Sequence, residues 1–484
     1  MKNRTIIILL LIMVLQIFLR VPFLGEPLER DEGAYAYIAQ RMAVGQVPYR
    51  DIYDHKPPAI YFIYAGIFKL FGESAASIRY FTLFYSLILT FIMFLIGSKL
   101  WGRVGGLLSA FFYAVFSGGA LIQGTSANTE TFLVLPILLA LFFAIRSNNK
   151  WDLFWAGLFS GLAVMIKQVA FLNFLALFFF VVLTPSLTSF VPPLSIEDGE
   201  GNELRRRRKK GVRLLAGFAI FPLLFTLYFW LNNALPEFIN VMFLENVGYL
   251  SHQPWQWAQF YKVVINENLI LWFLSIIALL FIIMRERSDK NLLIGFWALF
   301  SIVGVILGKV FYGHYFIQAI PGLSFLSALV IINLKHNQFK VFILMITFIM
   351  AGMTISYEKD FYTASPDNIS IRKYGINNFV VAKEVAAFVE KNTKPDQKVF
   401  IWGAEPEVYF YSNRASASRF IYYYPLFHNK ARRIEMLKEL KANRPKYIIW
   451  VNKEVYYKNL AEYLKLYYRQ DKSIKGWRIW QRLS

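Results

Sequence analysis

The feature that most restricts this chain is a series of apolar runs, each close to the length needed to cross a bilayer. The first is Thr5 to Leu19, and others lie near 78–98, 104–122, 131–145, 153–166, 169–184, 212–232, 268–284, 291–308, 315–333 and 339–356. A spanning helix needs about 20 predominantly apolar residues, so the pattern counts about eleven spans, the short pair flanking Lys167 being the least regular. In lipid every backbone N–H and C=O must be paired within its own segment, and a polytopic α-helical membrane protein is the fold expected. Composition agrees: 57% of the 484 residues are hydrophobic and 17% charged, against roughly a quarter charged in soluble domains. Such a chain is not a soluble enzyme.

The loop charges give the expected topology. Lys2 and Arg4 precede the first run, and Arg20-Val21-Pro22-Phe23 follows it in place of a small-residue cleavage site. The run therefore reads as an uncleaved span with the N-terminus in the cytoplasm. Lys99/Arg103, Arg146/Lys150, Arg205 to Lys210, Arg285/Arg287/Lys290 and Lys335/Lys340 then fall in cytoplasmic loops, while the alternate loop Gly124 to Glu130 has no Lys or Arg. An odd number of spans places residues 25–76, 234–266 and the segment from Glu358 outside the membrane. The expected location is the plasma (cytoplasmic) membrane, with a membrane region over 1–357 and an extracytoplasmic region over 358–484.

Charge and cysteine content exclude other classes. The chain has no Cys, which removes disulfides, thiolate zinc sites and thiol nucleophiles. A net charge of +21 would suggest nucleic acid in a soluble chain, but here it divides between topology anchors and the C-terminal region, and nucleic acid is not expected as a partner. The run Arg205 to Lys210 reads as a cytoplasmic anchor beside anionic lipid, and Pro185 to Glu203 before it, rich in Pro, Ser and Gly, as a flexible loop.

From Asn377 the texture becomes that of an α/β unit. A helix over 378–392, a strand Lys398 to Trp402, a helix near 430–442, a strand Tyr447 to Val451 and a helix over 453–467 predict parallel pairing of two strands. Residues 358–484 carry 24 Lys and Arg against 13 Asp and Glu. Long translocated domains are exempt from the positive-inside rule, and this one could face anionic lipid or an acidic glycan.

Transporters place their few ionisable residues within spans near the midplane. Here they gather in the first external loop, as Glu29-Arg30-Asp31-Glu32-Gly33 and Arg50-Asp51-Ile52-Tyr53-Asp54-His55-Lys56-Pro57-Pro58. Between the clusters, Ala34, Ile38 and Met42 share one face of a short amphipathic helix over 33–44. After them, Pro57 suits a first helical position, and Ala59 to Phe71 is an aromatic-rich helix too short to span comfortably. Two interfacial helices would hold the charges at the outer membrane surface.

This arrangement resembles a family. Asp31-Glu32 after the first span, a short helix, and Lys56-Pro57 opening an aromatic helix are similar to the first external loop of GT-C membrane glycosyltransferases. The branch is that of the protein O-mannosyltransferases and lipid A aminoarabinose transferases, of glycosyltransferase family 39 type. Gly124-Thr-Ser-Ala-Asn128-Thr-Glu130, Ile166-Lys167-Gln168 and Gly313-His314-Tyr315-Phe316 extend the resemblance over most of 1–335. It implies transfer of a sugar from a polyprenyl-phosphate carrier to a glycan, lipid or protein acceptor on the external face, with inversion. The carrier-linked sugar is a substrate, and no cofactor is firmly implied. Such chemistry needs a carboxylate to take the acceptor proton and positive charge at the departing phosphate.

The resemblance makes Asp31 the candidate base, and Lys56 the candidate contact to the carrier phosphate. Asp31 would serve equally as N-cap of a helix opening at Gly33, Glu32 as an acid favoured by the helix dipole, and Lys56 as a cation snorkelling to headgroups. Glu32, Asp54 and His55 are further candidate substrate contacts, although family members often carry an acid where His55 stands. Asp51, Asp54 and His55 could share a helix face for a metal, but Pro48, Pro57 and Pro58 oppose a helix there, so a divalent metal is not expected and Arg50 should pair with one of the acids.

Elsewhere, Asn128 and Glu130 are candidate substrate groups or ordinary caps, and Lys167, Lys309, His314 and Tyr315 are candidate phosphate or substrate contacts or interfacial anchors. Trp255 and Trp257 read as membrane-belt residues. Trp402 to Glu407 follows a strand and opens a helix, where open α/β sheets bind ligands, but without G-x-G-x-x-G no nucleotide is indicated. A transporter or flippase of lipid-linked sugars is the rival reading, and a catalytically silent scaffold with an exported α/β domain a third.

Overall fold

The computed structural model describes residues 2–483 apart from 147, 148, 150, 184–199, 246–253, 286, 358, 428 and 452–454. In chain order the main helices are α1 (Lys2–Arg20), α2 (Arg30–Met42), α3 (Ala59–Phe71), α4 (Ala75–Phe116), α5 (Thr129–Arg146), α6 (Asp152–Ile166), α7 (Phe171–Leu183), α8 (Glu200–Leu231), α9 (Leu269–Met284), α10 (Asp289–Leu307), α11 (Ile320–Asn333) and α12 (Asn337–Tyr357). Every apolar run read from the sequence falls on one of them. Among the described residues, six helices are long and apolar enough to cross a membrane. The protein is a multi-pass membrane protein.

Two expectations change. The run 78–98 and the run 104–122 as far as Phe116 are the two arms of α4, which breaks at Trp101 and Gly102, the glycine taking φ +77°, and residues 117–122 are not helical. The arms then fold so tightly that a Cβ on Gly97 would lie 2.9 Å from Gly106 Cα. The basic run Arg205 to Lys210 is not a loop but part of α8, because Arg and Lys are strong helix formers and extend the apolar helix behind them. Up to residue 199, the expected flexible loop Pro185 to Glu203 lies outside the described residues.

The chain forms two compact units, 1–24 with 79–228 and 244–363, and 25–78 with 229–243 and 364–484. In the first, helix contacts rely on small residues and a few polar bridges, as lipid-embedded packing requires. A Cβ on Gly157 or Gly161 of α6 would run into the α8 backbone at Leu214 or Phe218. Gln16 of α1 accepts from Thr90 at 2.7 Å, and Asn173 of α7 donates to Ser301 of α10 at 2.7 Å.

The second unit holds α2, α3 and a C-terminal α/β fold built from α13 (Asn378–Asn392), β1 (Val399–Trp402), α14 (Glu407–Ser412), α15 (Lys430–Asn443), β2 (Tyr447–Trp450), α16 (Lys458–Tyr467), β3 (Tyr468–Ile474) and β4 (Trp477–Arg482). The sheet order is β1-β2-β4-β3. As expected, β1 and β2 pair in parallel, Val399 beside Tyr447 and Trp402 beside Trp450. The antiparallel hairpin of β3 and β4 was not expected; Lys475 and Gly476, at φ +45° and +92°, make its turn. α2 meets the start of α14 so closely that a Cβ on Gly33 would overlap Glu407. Glu26 and Lys373 form a fully buried ion pair at 3.0 Å.

Candidate active site

The first cluster sits on the opening of α2. The N-cap is Glu29, not Asp31: its side chain accepts from the Glu32 amide at 3.2 Å, while Glu32 reaches back to the Glu29 amide at 3.0 Å. This reciprocal capping box starts the helix at Arg30 and occupies Glu32, which is fully buried. Asp31 is thereby released from capping. Its Oδ2 accepts from Lys56 Nζ at 3.0 Å and from Tyr35 OH at 3.4 Å, and both charged side chains keep some exposure, 28% for Asp31 and 15% for Lys56.

Lys56 lies in an irregular segment ahead of α3, whose N-cap is Pro58 rather than a residue before Pro57. That segment is held from several sides. Asp54, 2% exposed, accepts from Tyr61 OH at 2.8 Å, from Tyr422 OH at 2.6 Å and from the His55 amide at 2.7 Å. Burial alone would raise its carboxyl, but the hydrogen bond and charge of His55, the charge of Lys56 and the Tyr422 hydroxyl together hold it below the usual carboxylate range. The Lys56 carbonyl accepts from Tyr49 OH at 2.7 Å and Tyr61 OH at 3.2 Å.

Arg50 pairs with Asp51 through two bonds of 2.8 Å, as expected, and its hydrogen bonds hold that carboxyl low. Asp51 thus faces Arg50 while Asp54 faces two phenols. Among the described residues no group of three His, Asp or Glu side chains is placed to hold a metal.

Beside α2, in the same unit, lies a set of buried acids. Glu405 accepts from Asn378 at 2.7 Å, and Arg30 donates to the Ala404 carbonyl at 2.7 Å. Burial raises the Glu405 carboxyl, and burial with the Glu405 charge raises Glu407 well above the usual range. Glu29 is pushed up to about 8 by burial and the charges of Asp31 and Glu32. The Trp402 to Glu407 loop does follow a strand and open a helix, and its acids pack against α2.

The second cluster belongs to the other unit. Glu130, in the first turn of α5, pairs with Lys167 where α6 ends; it accepts from Thr129 at 2.7 Å and lies 3.7 Å from His314 Nε2. His314 Nδ1 is 2.9 Å from Gln123 Oε1, and Lys167 Nζ stands 4.3 Å from the Tyr315 ring centroid. Four expected residues are therefore brought together: Glu130, Lys167, His314 and Tyr315. Asn128 is buried, and its amide makes no hydrogen bond, so it does not cap α5 through its side chain. Lys309, at φ +57°, faces the Trp255 ring instead, at 5.8 Å, and Trp255 stacks on Trp257.

Tyr35, Tyr61, Tyr422 and Gln123 were not anticipated as site residues. The runs Tyr61-Phe-Ile-Tyr64 and Tyr422-Tyr-Tyr424 are visible in the sequence as aromatic clusters, but nothing local says which carboxylate each hydroxyl meets.

Residues 55–195 match the family model described as dolichyl-phosphate-mannose-protein mannosyltransferase. Residues 382–482 match that of the putative competence-induced protein Ccs4 C-terminal domain. Among solved structures, ArnT from Cupriavidus metallidurans bound to undecaprenyl phosphate is similar with a TM-score of 0.64 at 14% identity, covering 100% of this chain and 98% of that one. The Archaeoglobus fulgidus oligosaccharyltransferase tethered to an acceptor peptide has a TM-score of 0.59 at 14% identity, covering 100% and 74%. The same organism's oligosaccharyltransferase AglB with an inhibitory peptide and a dolichol-phosphate has 0.58 at 14%, with the same coverage. No curated protein matches in sequence. The fold is that of the GT-C superfamily, as the resemblance read from the first external loop implied.

Proposed function

We propose that this protein is a membrane glycosyltransferase that moves a sugar from a polyprenyl-phosphate donor to an acceptor hydroxyl on an envelope or protein substrate, with inversion. The observation that carries the reading is the 3.0 Å Asp31–Lys56 pair, a partly exposed carboxylate beside a partly exposed ammonium on two elements held by the same unit. Asp31 takes the acceptor proton as the acceptor oxygen attacks the anomeric carbon. The bond from that carbon to the carrier phosphate breaks, and Lys56 neutralises the departing phosphate. A carboxylate and a compact ammonium suit these two tasks.

The family match and the carriers named in the neighbours' structures support a lipid-linked donor. In this reading the membrane-embedded catalytic region covers 1–357, and the region 358–484 lies outside the plasma membrane with the N-terminus in the cytoplasm. Glu130, Lys167, His314 and Tyr315 serve as a substrate-binding group, and His55 contacts substrate beside Lys56. The test is reconstitution of the full chain in liposomes containing a polyprenyl-phosphate sugar and extracted envelope acceptors. A new covalent sugar–acceptor product with release of polyprenyl phosphate is expected. Translocation of the donor with no covalent product would overturn the proposal in favour of a flippase.

A further inference from the structure

The segment that carries Lys56 has no secondary structure of its own between Asp54 and Pro57. Something outside it must fix where the ammonium stands. The C-terminal region does so through several contacts. The Tyr53 amide donates to the Arg419 carbonyl at 2.8 Å, making an isolated bridge with Phe420. Arg419 Nη1 returns to the Tyr49 carbonyl at 3.1 Å. Tyr422, 6% exposed, then places its hydroxyl 2.6 Å from Asp54 Oδ1 and 3.1 Å from His55 Nδ1.

The donor and acceptor inventory fixes the direction of these last two bonds. An ionised carboxylate only accepts, so the single phenolic proton goes to Asp54. The phenol oxygen is then left to accept from the His55 Nδ1–H. On the other side, Tyr61 spans Asp54 Oδ2 and the Lys56 carbonyl. Asp54 is the hub: it is too buried to meet substrate, and each of its oxygens takes a phenol.

We infer that Tyr422 is a positioning residue through which the C-terminal region holds the Asp54-His55-Lys56 segment in the geometry that receives the donor phosphate. This rests on the phosphate role proposed for Lys56. It assigns the C-terminal α/β fold a part in donor recognition rather than in acceptor choice alone.

The experiment uses the full-length protein in nanodiscs with undecaprenyl phosphate as probe and undecaprenol, which lacks the phosphate, as control. Tyr422→Phe removes one oxygen. It should weaken undecaprenyl phosphate binding about tenfold, leave undecaprenol binding unchanged, and raise the donor KM with little change in the acceptor KM. Asp54→Asn should do the same. Because Tyr422 acts through Lys56, the Tyr422→Phe/Lys56→Ala double variant should bind no more weakly than Lys56→Ala alone. Wild-type binding by Tyr422→Phe, equal weakening for both lipids, or additive losses in the double variant would each overturn the inference while leaving Lys56 in its role. A wild-type protein that binds the two lipids equally would instead remove the Lys56 reading, and this inference with it.

Discussion

Two ion pairs, one in each compact unit, place a carboxylate at the start of a helix beside a lysine from a connecting segment, yet they are built for different ends. Glu130 and Lys167 are 2% and 16% exposed and are closed in by Thr129, His314 and the Tyr315 ring. Asp31 and Lys56 keep 28% and 15% exposure, and the capping that Asp31 might have performed is taken over by Glu29. A buried pair is costly to break because the remaining charge has no solvent. The two lysines are equally shielded, so the difference lies in the carboxylates: a half-open one contributes less to stability and stays open to a ligand. Damage to the first pair should therefore be read in folding as well as in substrate binding, and damage to the second in turnover with little loss of stability.

The largest expected effect is on the closed pair. Glu130→Gln alone should destabilise the folded protein by about 3–5 kcal/mol, and adding Lys167→Met should recover most of that loss, read as the thermal midpoint in detergent. If the single variant melts like wild type, the distinction between the two pairs collapses. Next comes Gly33→Ala, whose added carbon has no room beside Glu407; overpacking of this kind costs about 1–3 kcal/mol and should raise hydrogen exchange in α2 and α14. Asp31→Asn should change the midpoint by no more than about 1 kcal/mol. A shift as large as that of Glu130→Gln would mean that Asp31 is structural.

A pH slope sets the second unit apart as well. Glu29, with its carboxyl at about 8, and Glu407, raised well above the usual range by burial, hold protons more tightly in the folded state than in the unfolded chain. Their stabilisation is complete below about pH 4.5 and is lost as pH rises towards 8, at a rate of at most about 1.4 kcal/mol per unit per group. Denaturant midpoints should therefore fall from pH 5 to 8, and Glu407→Gln should flatten the slope. Asp54 acts oppositely: its lowered carboxyl stabilises above the usual carboxylate range, and that contribution is lost on acidification.

Much of the fold was legible because lipid imposes a length and a composition on each helix. The same holds for α3, which matches the expected Ala59 to Phe71, and for β1 and β2, whose continuous apolar runs signal buried strands. The β3 strand was not legible because residues 469–473 are all exposed and show no alternation. Its partner β4 does alternate Trp477 and Ile479 inward, and with Lys475-Gly476 before it a hairpin signal was present in retrospect. At the site, Asp31, Lys56 and Glu130 could be named from the sequence, but Glu29 as the cap could not, since Ser, Thr, Asp and Asn dominate that position. Tyr422 meets Asp54 across 368 residues of sequence. No local pattern encodes a contact at that separation.

The proposed function divides the labour between Asp31 as base and Lys56 at the carrier phosphate. It is tested most directly by measuring donor binding and single-turnover sugar transfer on Asp31→Asn and Lys56→Ala side by side. The account predicts that Asp31→Asn binds polyprenyl phosphate like wild type but transfers about 10²–10⁴-fold more slowly, while Lys56→Ala loses donor affinity first. Near wild-type transfer by folded Asp31→Asn, or undiminished donor affinity and turnover in Lys56→Ala, would contradict it.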